Sequence, residues 1–244
     1  MGRTEGERRQ AGHARLQAAG ITPKKSGGAG RGLVIAGVVL AVAVLAGVYV
    51  AWQNYNSSAV PAYAVARDGV VVTAGDPAAP VTVDIYEDYL CPNCKELERY
   101  YGGDLTAALN EGKAKINYHH VAILDDRTTP PGYSTRAGNA ALCAADAGIF
   151  PAYHSRLYTD QPSEGGAGLT VQQLTALGTE LGATGDFGGC VTRQESSQAI
   201  ADATRAAAAD PKAAPGGGFG TPTVLVQGTK ADLSNGAWLT QVTG

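Results

Sequence analysis

Hydrophobic and polar positions change rhythm several times along this 244-residue chain. Leu33 to Trp52 is an unbroken apolar run of twenty residues, long enough as a helix to span a hydrocarbon core. After a polar stretch, short β-branched runs begin. Val70-Val71-Val72 predicts a first strand, closed by a Gly75-Asp76-Pro77 turn. Val81-Thr82-Val83-Asp84-Ile85-Tyr86 predicts a second, buried strand. The period then becomes helical, from Pro92 through Leu97, Tyr100, Leu105 and Leu109 to about Asn110, with an interruption or kink expected at Gly102-Gly103. Lys115 to Leu124 predicts a third strand. Strand, helix and strand in this order make a βαβ unit with parallel strands.

Helical patterns dominate next. They run over Thr135–Gly148, Pro151–Tyr158, a capping-box start at Thr170 ending near Gly182, and Phe187–Ala209, which Asp210-Pro211 stops. Thr223 to Val226 returns to a strand pattern. Gly228 makes a turn, after which Lys230-Ala231-Asp232 can pair back. A short helix from Ser234, with Trp238, Leu239 and Val242, closes the chain. Helices interrupting a strand-rich sequence predict an α/β domain with a helical insertion over about 130–215.

Charge divides the chain. Residues 1–32 hold seven Lys/Arg and two Asp/Glu, whereas the remainder holds twelve and twenty. The net charge of −3 points away from a nucleic-acid partner, and the basic part reads as a disordered tail. Basic residues before the apolar run, with the next one only at Arg67, place the N-terminus in the cytoplasm and residues after 52 outside the cell membrane, with a single pass. Tyr49 and Trp52 sit at the outer end, where aromatic rings favour the interface. A cleaved signal peptide is the competing reading, with Ala62-Tyr63-Ala64 as its cleavage-like site. Its apolar core would be shorter, about 7–15 residues. Residues 53–68 then form a linker, and 69–244 form the globular domain.

The four cysteines lie between 91 and 190, and an even number suits an oxidising compartment. Cys91-Pro92-Asn93-Cys94 follows the buried strand and opens the helix. Unpaired N–H groups and the helix dipole favour negative charge on Cys91, which lowers a thiol pKa. Cys94, one turn on, can attack a mixed disulfide formed at Cys91. That is thiol–disulfide exchange. A zinc half-site is the alternative, but Cys143 and Cys190 do not form a second C-x-x-C, and no metal is expected.

Four features resemble the DsbA-like thiol–disulfide oxidoreductases of the thioredoxin fold, in particular their membrane-anchored actinobacterial members. These are Tyr86-Glu87-Asp88-Tyr89-Leu90 before the C-x-x-C, the helical insertion, Gly220-Thr221-Pro222-Thr223 before an apolar strand, and the Cys143/Cys190 pair inside the insertion. The resemblance covers residues 69–244. It implies a thioredoxin-like α/β fold preceded by one transmembrane helix. Cys91 would be the nucleophile and Cys94 the resolving thiol, with a cis Thr221-Pro222 bond beside them and a structural Cys143–Cys190 disulfide. It also implies exported, thiol-bearing protein substrates, a membrane quinone-linked reoxidant similar to vitamin K epoxide reductase, no cofactor and a monomer. The active-site dipeptide Pro92-Asn93 departs from the Pro-His of the strongest oxidants. Asp84 is a possible proton relay, although the family's acid falls one residue later, at Ile85. Glu87 is another, although Glu87 and Asp88 read more simply as solvated loop charge. His119 and His120 fall on opposite faces of their strand, one to core and one to surface. Two alternatives to a disulfide oxidase remain: a reductase, of the kind that serves cytochrome c maturation, and a thioredoxin-fold chaperone or binding module with inert cysteines.

Overall fold

The computed structural model describes residues 63–244. The basic tail, the apolar segment 33–52 and the linker up to residue 62 lie outside the described residues. Among the described residues no helix is long and apolar enough to cross a membrane.

The first element is one the hydrophobic pattern did not suggest. Val65–Asp68, inside the stretch read as linker, forms strand β1 and pairs antiparallel with β2, Val71–Gly75. The signal was Gly69, which with Val70 makes the two-residue hairpin turn between Asp68 and Val71. Gly69 takes φ +58°, which a side chain would resist. β3, Val81–Glu87, and β4, Ala114–His120, are parallel and joined by helix α1, Pro92–Asn110, as expected of a βαβ unit. β5, Thr223–Val226, runs antiparallel to β3, and the two-residue β6, Thr229–Lys230, pairs back on it. The sheet order is β1-β2-β4-β3-β5-β6.

Glycine did not break α1. Each glycine costs about 1 kcal/mol relative to alanine in a helix, but Leu97, Leu105, Ala108 and Leu109 bury one face of α1 and hold it through Gly102-Gly103. Tyr100 is not on that face. It is 63% exposed and carries the Arg99 guanidinium 3.9 Å above its ring, while Tyr101 turns inward against Trp238. β4 ends at His120, four residues earlier than the pattern suggested. Beyond it, the Val121 N–H donates to the Glu87 carbonyl, Ala122 to Thr204 Oγ1 and Leu124 to Asp88, so the backbone leaves the ladder.

The insertion holds α2, Tyr133–Asp146; α3, Phe150–Thr159; α4, Val171–Glu180; α5, Phe187–Arg193; and α6, Ser197–Ala209. Thr170 and Gln173 form the expected capping box. The helix read as continuous from Phe187 to Ala209 is two. Gln194 adopts φ 51°, and beyond it Asn139 Oδ1 on α2 accepts the Ser196 N–H, so tertiary contact overrides helix propensity at the break. A 3₁₀ turn at Gly236–Leu239 and α7, Thr240–Thr243, close the chain.

Cys143 on α2 and Cys190 on α5 form a disulfide with a Cα–Cα distance of 5.9 Å. A cross-link over a separation of 47 residues removes about 4 kcal/mol of loop entropy from the unfolded chain. We therefore expect Cys143→Ser/Cys190→Ser to lose up to that amount in urea unfolding while Cys91 keeps its alkylation rate. Loss of Cys91 reactivity in a folded variant would contradict a purely structural bridge.

Candidate active site

β3 ends at Glu87, and the chain turns sharply into α1. Asp88 makes the turn: its Oδ1 accepts the Leu90 N–H, its carbonyl accepts the Cys91 N–H, and its Oδ2 accepts the Leu124 N–H beyond β4. Cys91 is thereby set as the N-cap of α1, with Pro92 in the first turn. Its carbonyl accepts from Cys94 N at 3.1 Å and Lys95 N at 3.3 Å. Both active-site thiols are free and buried, while Pro92 and Asn93 between them are exposed.

The two thiols differ in character. Hydrogen bonding from the Cys94 thiol, aided by Thr221 and the N–H groups of Cys94 and Asn93, outweighs burial and lowers Cys91 to about 6. Burial pushes Cys94 well above the ordinary thiol range, and the nearby Cys91 and Glu87 charges add to this. Cys91 Sγ lies 3.1 Å from the Thr221 carbonyl oxygen, to which the thiol donates. The Thr221-Pro222 bond is cis, as the resemblance implied, and leads directly into β5. A second cis bond, Thr129-Pro130, had no such prompt.

The acids before Cys91 are not solvated loop charges. Glu87 is 3% exposed and Asp88 0%. β3 turns Val83, Ile85 and Glu87 to one face, and Glu87 meets basic and hydroxyl partners there. His154 Nε2 lies 3.0 Å from both carboxylate oxygens, the Tyr158 hydroxyl donates at 3.1 Å, and His120 Nδ1 is 3.5 Å away. Burial favours the neutral acid, but the His154 charge and the hydrogen bonds from His120 and His154 prevail and hold Glu87 at about 2. Burial likewise opposes protonation of His154, yet the Glu87 carboxylate raises it to about 9. The pair is therefore an ion pair in the core, ringed by Tyr89, Tyr118 and Phe150. Asp88 behaves differently. Burial lifts it to about 6 against the Leu90 and Leu124 N–H groups, and the charge of Cys91 pushes the same way.

Asp84 is on the opposite face of β3. Its Oδ1 binds Asn117 Nδ2 and His119 Nε2, both at 2.9 Å, and His119 stacks on Tyr86 at 4.3 Å. The structure does not bring Asp84 to the cysteines. His120 is buried and His119 half-buried, the division the strand alternation predicted. Among the described residues no cluster of His, Cys, Asp and Glu could hold a metal ion.

Sequence reasoning missed His154, Tyr158 and Gln161. The signal was present for the first two. They stand four apart on a helix with an aromatic face, so a histidine there faces inward and needs a partner. Gln161, just after α3, donates from Nε2 to the carbonyls of Tyr89 and Cys91, each at 3.0 Å. Nothing in its sequence context marks it.

A parallel βαβ unit with a low-pKa thiol at the helix start, beside a cis-proline loop, defines a thioredoxin-fold redox site. Comparison with known proteins agrees. The family model described as Thioredoxin matches residues 68–241. This chain belongs to the thioredoxin family, among its DsbA-type thiol–disulfide oxidoreductases. The reduced disulfide bond oxidoreductase DsbG of Mycobacterium tuberculosis is 30% identical with a TM-score of 0.57, covering 72% of this chain and 88% of that one. Oxidised DsbA of the same organism is 29% identical with a TM-score of 0.57, covering 75% and 93%. The thiol–disulfide oxidoreductase MdbA of Corynebacterium matruchotii is 25% identical with a TM-score of 0.64, covering 78% and 94%. Among curated sequences, the serine/threonine-protein kinase PknE of M. tuberculosis is 30% identical over 187 residues, 74% of this chain and 32% of the kinase. The chain thus spans about a third of the length of the curated relatives it matches.

Proposed function

We propose that this protein is a membrane-anchored, extracytoplasmic disulfide donor to exported proteins. The observation that carries the reading is the asymmetry of the two thiols. Cys91 is lowered to about 6 and Cys94 is raised by burial. Stabilising the Cys91 thiolate stabilises the reduced pair, and a pair more stable when reduced is a better oxidant. A thiolate at about 6 lies between the values of about 7 for thioredoxin and about 3.5 for the strong oxidant DsbA.

A substrate thiolate attacks Sγ of Cys91 in the oxidised pair, and the Cys91–Cys94 bond breaks, with the electron pair leaving on Cys94, which takes a proton. The substrate's second thiolate then attacks its own sulfur in the mixed disulfide. Cys91 leaves as a thiolate, favoured by its low pKa. The substrate has lost two electrons and the pair has gained them. Thr221 and Pro222 flank Cys91 and offer backbone to an extended substrate. A quinone-linked membrane partner similar to vitamin K epoxide reductase would reoxidise the pair, with the protein working as a monomer. Glu87, held at about 2, is a weak base, so its part is electrostatic: its charge adds to the burial and the Cys91 interactions that keep Cys94 protonated. Asp84, on the other face of the sheet, supports the strands.

The test is the reduction potential of Cys91–Cys94 in defined thiol buffers. A value near or above about −180 mV is expected; one near thioredoxin's, about −270 mV, would favour the reductase instead. No titrating pair would leave only the binding-module reading.

A further inference from the structure

The backbone around Cys91 is gripped from outside its own helix. Asp88 holds the Leu90 N–H from the preceding turn, and the carbonyls on either side are held by Gln161, which follows the C-terminal end of α3. Its amide nitrogen has two N–H groups, and both are used: one on the Tyr89 carbonyl, one on the Cys91 carbonyl. These carbonyls lie on either side of the Leu90–Cys91 peptide bond, so one amide holds the chain where it enters the nucleophile and where it leaves.

The position matters because of what sets the Cys91 thiolate. Two of its stabilising donors are the N–H groups of Asn93 and Cys94, in the first turn of α1. Whether they point at Cys91 Sγ depends on rotation about the Cys91 Cα–C bond, here ψ 118°. That rotation moves the Cys91 carbonyl and the first turn together. Within α1 the carbonyl is bound only by Cys94 and Lys95 N–H, groups that turn with it. Gln161 is the donor that does not turn with the helix.

Gln161 is itself fixed. Its N–H donates to Tyr158 O, Lys95 Nζ of α1 reaches the carbonyl of Thr159, and Arg156 binds Asp160 and Glu180. We propose that Gln161 is a positioning residue through which the helical insertion sets the orientation of Cys91 against the first turn of α1, and so its reactivity as a nucleophile. The inference rests on the reading of Cys91 as the nucleophile given above. It adds a group that neither touches the substrate nor lies in the C-x-x-C segment or the proline loop.

The titratable groups facing Cys91 are Asp88 from the preceding turn and Cys94 from α1; the proline loop offers only Thr221, and the segment after α3 offers the neutral Gln161. The test is the pH profile of Cys91 alkylation in the full-length, reduced protein, compared among wild type, Gln161→Ala and Gln161→Glu. Thermal unfolding is followed in parallel. Gln161 is half-exposed, and Gln161→Glu keeps its shape, so at least one variant is expected to fold. Losing a hydrogen bond worth about 1 kcal/mol corresponds to a roughly fivefold loss of thiolate at a pH below the midpoint. Gln161→Ala should show a shift of that order. Gln161→Glu should show a larger one, because its carboxylate would face two carbonyl oxygens and the thiolate. Folded variants whose profiles overlay that of wild type would overturn the proposal, whatever their melting temperatures. If wild-type Cys91 itself titrates as an ordinary thiol, near about 8.5, the failure lies with the nucleophile assignment and not with Gln161 alone.

Discussion

Cys94→Ser is expected to abolish catalytic oxidation of a dithiol peptide and to turn the protein into a trap. Without Cys94, Cys91 cannot close the internal disulfide that the substrate must attack. Cys91 nonetheless keeps the backbone N–H donors of Asn93 and Cys94, so it still attacks external disulfides. The product is a mixed disulfide that nothing nearby resolves. A neighbouring group in a well-oriented site can act at an effective concentration of about 10⁵–10⁸ M, which millimolar external thiol cannot match, so the adduct should be long-lived. Intact-protein mass after exposure to oxidised glutathione should show one glutathione adduct on Cys94→Ser and none on Cys91→Ser. Wild type should pass through the adduct to the internal disulfide. Retained dithiol oxidation in Cys94→Ser would move the chemistry to the other cysteine pair, Cys143–Cys190.

The second large effect concerns stability. Glu87→Gln removes a buried charge and leaves His154 with only the more distant, partly exposed Glu98, 3.9 Å from its Nδ1, as counter-ion. Breaking a buried pair on one side costs about 3–5 kcal/mol, because the remaining charge is desolvated without compensation. Urea unfolding near pH 6 should show a loss of that size. His154→Leu should cost a similar amount, and Glu87→Leu/His154→Leu less than the sum of the two single losses. The pH dependence follows from the two shifts. Glu87 is depressed to about 2, so its contribution is present above its unfolded value, 4.5, and is lost as pH falls towards 2. His154 is raised to about 9, so its contribution is complete below 6.5 and is lost as pH rises through 9. Stability from this pair should therefore be greatest between those unfolded values and fall away on both sides. A Glu87→Gln protein that is as stable as wild type near pH 6 would mean the pair is not charged.

The sequence made the βαβ unit, the cysteine motif and the closing strand readable because each depends on local pattern: alternation in β3, helical period in α1, and Pro92 at its start. The disulfide and the cis bond at Pro222 came through resemblance, since neither spacing nor composition specifies them. What was misread depends on contacts distant in sequence. Glu87 reads as a loop charge unless one knows that His154, on a helix 67 residues away, reaches it. The break at Gln194 is held by Asn139, and the end of β4 by Asp88 and Thr204. β1 had a local signal in Gly69, whose positive φ starts the two-residue turn into β2, but its own four residues carry too short an apolar alternation to read as a strand.

The placement of α3 bears on how separable this domain's parts are. That one helix supplies the counter-ion to Glu87 and a hydroxyl to the same carboxylate, and the residue two beyond its end supplies the tether on Cys91. Transplanting residues 81–120 with residues 223–244 into a bare thioredoxin scaffold would carry the reactive motif but leave the buried Glu87 facing only His120, which burial keeps from protonating, in place of His154. The insertion and the segment from Glu87 to Cys91 are therefore one physical unit, and a swap between homologues should preserve activity only when both are exchanged together.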